Sequence, residues 1–225
     1  VLGRRPYRLV GSLLVLAAVV TQCGQPACLP PAPPRDGFVW EVSTISAERA
    51  EAMPSWRPGC PVPYQDLRAI RVAHHGFDGA DHEGELIVHA DAVDDLRSVF
   101  RRLWDERFPV ERIRPVDDYG ASDDASMADN NTSAFNCRLT TGGSRWSEHA
   151  YGRAIDINPV QNPYVTSGGT VLPPAGRDHL DRTADTPGLI REGGVAVAAF
   201  DAVGWGWGGR WSNPKDYQHF SATGR

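Results

Sequence analysis

The segment Ser147-Glu148-His149-Ala150-Tyr151-Gly152-Arg153-Ala154-Ile155-Asp156-Ile157-Asn158 constrains this chain more than any other. Arg153 to Asn158 alternates, with Ile155 and Ile157 on one face and Ala154, Asp156 and Asn158 on the other, the pattern of a half-buried strand. Gly152 in front of it permits a tight turn, so His149 can fold back over the strand. An imidazole and a carboxylate seven positions apart then point at one spot. Both are zinc ligand types, and a catalytic zinc site needs a third protein ligand and an open position. Lys215-Asp216-Tyr217-Gln218-His219-Phe220, near the far end, offers that third ligand.

Ser147-x-His149-x-x-Gly152-x-Ala154-x-Asp156, followed by Asp216-x-x-His219, resembles the zinc D-alanyl-D-alanine carboxypeptidase family. That family also holds the vancomycin-resistance dipeptidases and the phage L-alanyl-D-glutamate endolysins. The resemblance runs from about Cys60 to the C-terminal end. It implies His149, Asp156 and His219 as zinc ligands and Asp216 as general base. Many members carry Glu where this chain has Asp216, whereas the endolysin-like branch carries Asp. The expected fold is α+β: a small antiparallel sheet with helices on one side and zinc on the open face, as in DD-peptidases and hedgehog-like domains.

The 225 residues fit one domain plus an N-terminal extra. A net charge of −5 argues against a nucleic-acid partner, which favours a basic stripe. Arg4, Arg5 and Arg8 form a basic n-region before an apolar run from Leu9 to Val20, too short for a comfortable membrane span. Residues 1–28 therefore read as a signal peptide or membrane anchor, and the protein as exported to the cell envelope or beyond. Without them the charge is −8. Residues 29–57 read as a proline-rich linker and N-terminal extension, and 58–225 as the zinc peptidase domain. Cys60 and Cys137 are the two cysteines inside that domain, so export predicts a disulfide between them, against the alternative of two separate buried thiols.

Leu67 to Phe77 reads as a strand, Phe77-Asp78-Gly79 as a turn and Gly84 to His89 as the hairpin partner. With Asp91 as N-cap, Val93, Leu96, Val99, Phe100, Leu103 and Trp104 repeat at helical spacing over 92–107. Val110 to Val116 and Ser133 to Arg138 read as further strands, the first at an edge because of Pro115. The acidic stretch 117–131 reads as a loop and short helix lining the site, since it lacks the ligand order of a calcium-binding EF-hand. Residues 159–187, with five prolines and no periodicity, are expected to wall a substrate groove. Gly193 to Val203 reads as a helix. The following Trp205, Trp207 and Trp211 are either core or an aromatic wall beside the metal. His74 and His75 are adjacent on a strand and point to opposite faces, and His82, His89 and His179 lack carboxylate or cysteine companions at ligand spacing, so all five are set aside.

Chemically, the oxyanion of peptide hydrolysis needs a positive donor, and Arg138 is the candidate. In the family the comparable arginine follows a Gly-Tyr dipeptide, but here Tyr119 precedes Gly120. Ser147 is assigned to the metal shell rather than to a nucleophile, and Ser147, Tyr151 and Trp207 are expected to meet substrate. The function expected from the resemblance is a secreted, monomeric zinc peptidase acting on peptidoglycan stem peptides, by D-Ala-D-Ala carboxypeptidase or L-Ala-D-Glu endopeptidase chemistry. A zinc-stabilised cell-wall binding module without turnover is the alternative, which retention of Asp216 disfavours. A lysostaphin-type site needs a His-x-His, and Tyr217 stands where its first histidine would be.

Overall fold

A computed structural model describes Val1, Gly3 and residues 37–225 of the chain. Apart from Val1 and Gly3, the signal or anchor segment expected over 1–28 lies outside the described residues, as does most of the proline-rich linker. Among the described residues no helix is long and apolar enough to cross a membrane.

The order begins β1 (Trp40–Thr44), α1 (Ala47–Ala52), β2 (Leu67–His75), β3 (Asp81–His89) and α2 (Val93–Asp105). The strands pair antiparallel in the order β1-β2-β3. The apolar stripe read from the sequence does what its spacing requires: Leu96, Val99, Phe100 and Leu103 pack on Ile70, Val72, Leu86 and Val88. Asp91 is not the cap of α2, which starts two residues later behind a short 3-10 turn. Its carboxylate instead accepts from the Arg153 Nε at 3.1 Å.

Two expectations change here. The domain does not begin at residue 58, because β1 pairs with β2 over its whole length and Ile45, Ala50 and Met53 join a buried cluster. Nor is the far face of this sheet open. Leu67, Ala69 and Ile87 are covered there by Ile45, Ala50, Met53, Val62, Phe135 and Cys137. The Cys60–Cys137 disulfide is present at the edge of that layer. By the chain-entropy argument, closing a loop of this length contributes about 4 kcal/mol.

The rest of the molecule is built from shorter pieces: β4 (Arg112–Ile113), α3 (Asp123–Ala128), β5 (Asn131–Thr132), β6 (Ala154–Asp156), β7 (Tyr164–Val165) and β8 (Val171–Leu172). They are followed by α4 (Val195–Asp201), β9 (Gly206–Trp207), β10 (Lys215–Asp216) and β11 (His219–Ser221). Two more three-stranded antiparallel sheets result, β6-β11-β9 and β10-β7-β8, beside a parallel β4-β5 pair. The strand expected over Ser133 to Arg138 is reduced to one bridge, Ser133 to Asp156, and the one over Val110 to Val116 to the two residues of β4. β6 is buried on both faces rather than half-buried: Ile155 lies in the apolar core, and Ala154 and Asp156 on the other face are buried too. The mixed α/β architecture with small antiparallel sheets is as expected, but the site sits on β6-β11 and not on the large sheet.

Candidate metal centre

Each prospective ligand is placed by a different local device. Ser147 accepts from the His149 amide and starts a 3-10 turn over Glu148–Tyr151. Gly152 ends it at φ +66°, where a Cβ would lie 2.6 Å from the His89 amide nitrogen. The same Gly152 carbonyl accepts from that amide at 2.9 Å, docking the turn on the end of β3. Asp156 closes β6 and lies directly opposite His219 of β11 in the antiparallel register. Its own amide and carbonyl are held by Ser133 at 2.9 and 3.0 Å.

The result is a triangle of donor atoms. His149 Nε2 lies 3.1 Å from His219 Nδ1 and 3.1 Å from Asp156 Oδ2, and His219 Nδ1 lies 3.0 Å from Asp156 Oδ1. All three side chains are buried, and they could hold a metal ion. Two imidazole nitrogens and a carboxylate oxygen suit zinc, whose tetrahedral ligand atoms stand about 3.3 Å apart at ordinary bond lengths. The nitrogens not used in the triangle are held too: His149 Nδ1–H donates to the Ala134 carbonyl at 2.5 Å, and His219 Nε2–H to the Arg225 main-chain oxygen at 2.9 Å. Such outer partners fix tautomer and ring orientation.

The electrostatics follow from crowding. Burial opposes charge on Asp156, but His149 and His219 outweigh it and hold the carboxyl far below the usual range. Burial pulls the His219 imidazole toward neutrality, and the bond to Asp156 overrides it, raising it to about 9. Asp216, three residues earlier on β10, is pushed up to about 7 by burial, with His219 and Arg138 pulling it down and Asp156 and Asp123 pushing it up. Its Oδ1 is buried with no hydrogen-bond partner.

These groups face a cavity of about 870 Å³. Arg138 lines it, and its Nη2 is 2.8 Å from Asp123 Oδ2 on α3. The acidic stretch does line the site, through Asp123, Asp124 and Met127. Tyr164 and Leu172 come from the 159–187 segment, which folds into the β7-β8 hairpin. Ser147 and Tyr151 line the cavity. Trp207 does not: it is buried against Phe220, its Nε1–H donating to the Tyr217 carbonyl at 2.9 Å. The aromatic wall is Trp211, with its ring 5.6 Å from that of His219. The histidines set aside stay away, His74 stacking on His82 and His75 on Trp104.

Sequence reasoning missed Asp123, which is one of many acids in its stretch, and the Trp211 position. No curated protein and no solved structure matches the chain. Residues 141–222 match the sequence model of a family described as D-alanyl-D-alanine carboxypeptidase. That span includes His149, Asp156, Asp216 and His219, so the segment that builds the candidate centre is similar to the D-alanyl-D-alanine carboxypeptidase family.

Proposed function

We propose that the protein is an exported zinc peptidase that hydrolyses peptide bonds in the stem peptides of bacterial peptidoglycan, on a DD-peptidase-like fold. The observation that carries this reading is the donor triangle beside the buried, unpartnered Oδ1 of Asp216, inside one cavity. His149 Nε2, His219 Nδ1 and an Asp156 oxygen would hold the zinc, which when bound supplies Lewis acidity and lowers the pKa of water.

The chain's own residues do the rest. Asp216 Oδ1 accepts a proton from the attacking water and returns it to the leaving amine, and burial raises its carboxyl above the usual range, as suits a group that must do both. Arg138 donates N–H to the oxygen that gains charge, and Asp123 keeps the guanidinium in the cavity. Tyr151, Tyr164 and Trp211 flank the peptide.

The bond cut is an in-chain one, of the L-Ala-D-Glu kind. Asp216 matches the endolysin-like branch. Of Arg138, Arg145 and Arg153, the first is committed to Asp123 and the oxyanion and the last to Asp91, which leaves Arg145 of these three to meet a terminal carboxylate in the cavity. Incubation of the zinc-loaded protein with defined muropeptides, read by product mass, tests both levels. Chelator-sensitive cleavage inside the stem supports the reading. Release of terminal D-Ala alone overturns the bond assignment, and no product from zinc-saturated protein overturns the activity.

A further inference from the structure

The chain beyond β11 turns back onto the metal centre. The Arg225 main-chain oxygen lies 2.9 Å from His219 Nε2 and accepts from the Ser221 hydroxyl at 2.7 Å. One residue earlier, the Gly224 carbonyl accepts from Trp211 Nε1 at 2.8 Å, and the Gly224 amide donates to the Ser221 carbonyl at 3.1 Å. Gly206 on β9 lies under this turn, where a Cβ would stand 2.5 Å from Gly224 Cα. Gly224 and Arg225 both line the cavity.

We propose that Ser221–Arg225 is a positioning strap for the metal centre, with the Arg225 main-chain oxygen as the group that sets His219. This rests on the reading of His149, Asp156 and His219 as metal ligands. A neutral imidazole carries its proton on one nitrogen or the other, and only the Nε2–H form leaves the Nδ1 lone pair facing Asp156 and His149. The Arg225 oxygen selects that form and stops the ring from turning. His149 gets the same service from Ala134, inside the folded body. His219 alone depends on the strap, which hangs on Trp211, Ser221 and the bare face of Gly206. Outer partners of this kind typically change metal affinity about 10–100-fold.

Zinc affinity is measured by competition with a chromogenic chelator, and the His219 side-chain N–H by nitrogen-15 NMR. Three variants are compared with the full chain: Gly206→Ala, which displaces Gly224 from a position outside the cavity; Ser221→Ala; and the chain cut after Thr223. The cut chain and Gly206→Ala should bind zinc about 10–100-fold more weakly, Ser221→Ala a few-fold more weakly. The full chain should show a slowly exchanging Nε2–H that the cut chain lacks. A cut chain with an unchanged thermal melt and unchanged zinc affinity overturns the proposal. Should the cut chain fail to fold, unchanged affinity in both point variants overturns it instead. Absence of zinc binding in the full chain removes the metal reading, and the NMR signal then decides the strap by itself: a protected Nε2–H supports it and a freely exchanging one overturns it.

Discussion

The half of the molecule built on β1-β2-β3 and α2 is held by apolar burial between long regular elements, whereas the half that carries the site adds buried amides to the apolar core it shares through Ile155, Ile157, Phe200 and Phe220. In the first, Ile70, Leu86, Leu96 and Phe100 are wholly buried side chains in regular elements. In the second, strands are two or three residues long, and Asn131, Asn158 and Asn162 are each 0% exposed. Asn162 accepts from the Ile190 amide at 2.7 Å and from Arg182 Nη2 at 2.6 Å, and donates to the Gly188 carbonyl at 2.9 Å. Asn158 donates to the Pro109 carbonyl at 2.8 Å and accepts from the Glu111 amide at 3.1 Å. Such hubs replace the ladder bonds that long strands would make, because buried main-chain groups must find partners somewhere. They leave short loops free to aim His149, Asp156 and Asp216 at one point. One apolar core underlies both halves, and directional bonds aim the site.

That division predicts where variants act. Asp216→Asn should leave zinc bound and lower turnover about 10²–10⁴-fold, since the amide can neither take nor return the proton. Zinc content and peptide kinetics on the same sample decide it: retained turnover removes Asp216 from the chemistry, and lost zinc makes it a ligand. Asp216→Glu should keep far more activity than the Asn variant. Phe100→Ala, in the apolar half, should cost about 3–5 kcal/mol in urea unfolding while zinc affinity and turnover per folded molecule stay put. A fall in zinc affinity would mean the halves are not separable in this way.

Acid should weaken the apolar half through His74. Burial lowers its pKa from 6.5 to about 4, opposed by its bond to the Val110 carbonyl. Between pH 6.5 and 4 the unfolded chain therefore takes up a proton that the folded chain refuses, and stability falls as pH falls, by up to about 3 kcal/mol. Unfolding curves across that window should differ between wild type and His74→Gln, the variant showing the shallower slope; parallel slopes would exclude His74. Asn162→Leu should cost about 1–3 kcal/mol for the orphaned donors and acceptors. Unlike Phe100→Ala it should also lower turnover, because the segment it anchors carries Tyr164 and Leu172 into the cavity. Unchanged turnover would detach those hubs from function.

The same contrast explains what could be read from the sequence. Leu96, Val99, Phe100 and Leu103 announce α2 because helical spacing and burial are one signal. The ligand set is legible because zinc chemistry restricts residue types, although His149 and His219 are 70 positions apart. Asp123 is not, because nothing distinguishes it from Asp117, Asp118, Asp124 or Asp129 before the fold brings Arg138 to it. Trp207 and Trp211 sit in a run of glycines with no periodicity, so core and cavity wall look alike. β1 escaped notice because Val42, an apolar residue of an edge strand, is 45% exposed. Buried asparagines carry no pattern at all; each is defined by main-chain groups far away in sequence.

The central claim is that three side chains, two of them from facing strands, make one zinc site. Metal content by mass spectrometry after equilibrium dialysis, on wild type and His149→Ala at matched folding, tests it most directly. The account predicts one zinc per chain in wild type and its loss in the variant, with the far-ultraviolet circular dichroism of the two unchanged. Full zinc occupancy in His149→Ala, or none in wild type, would contradict it.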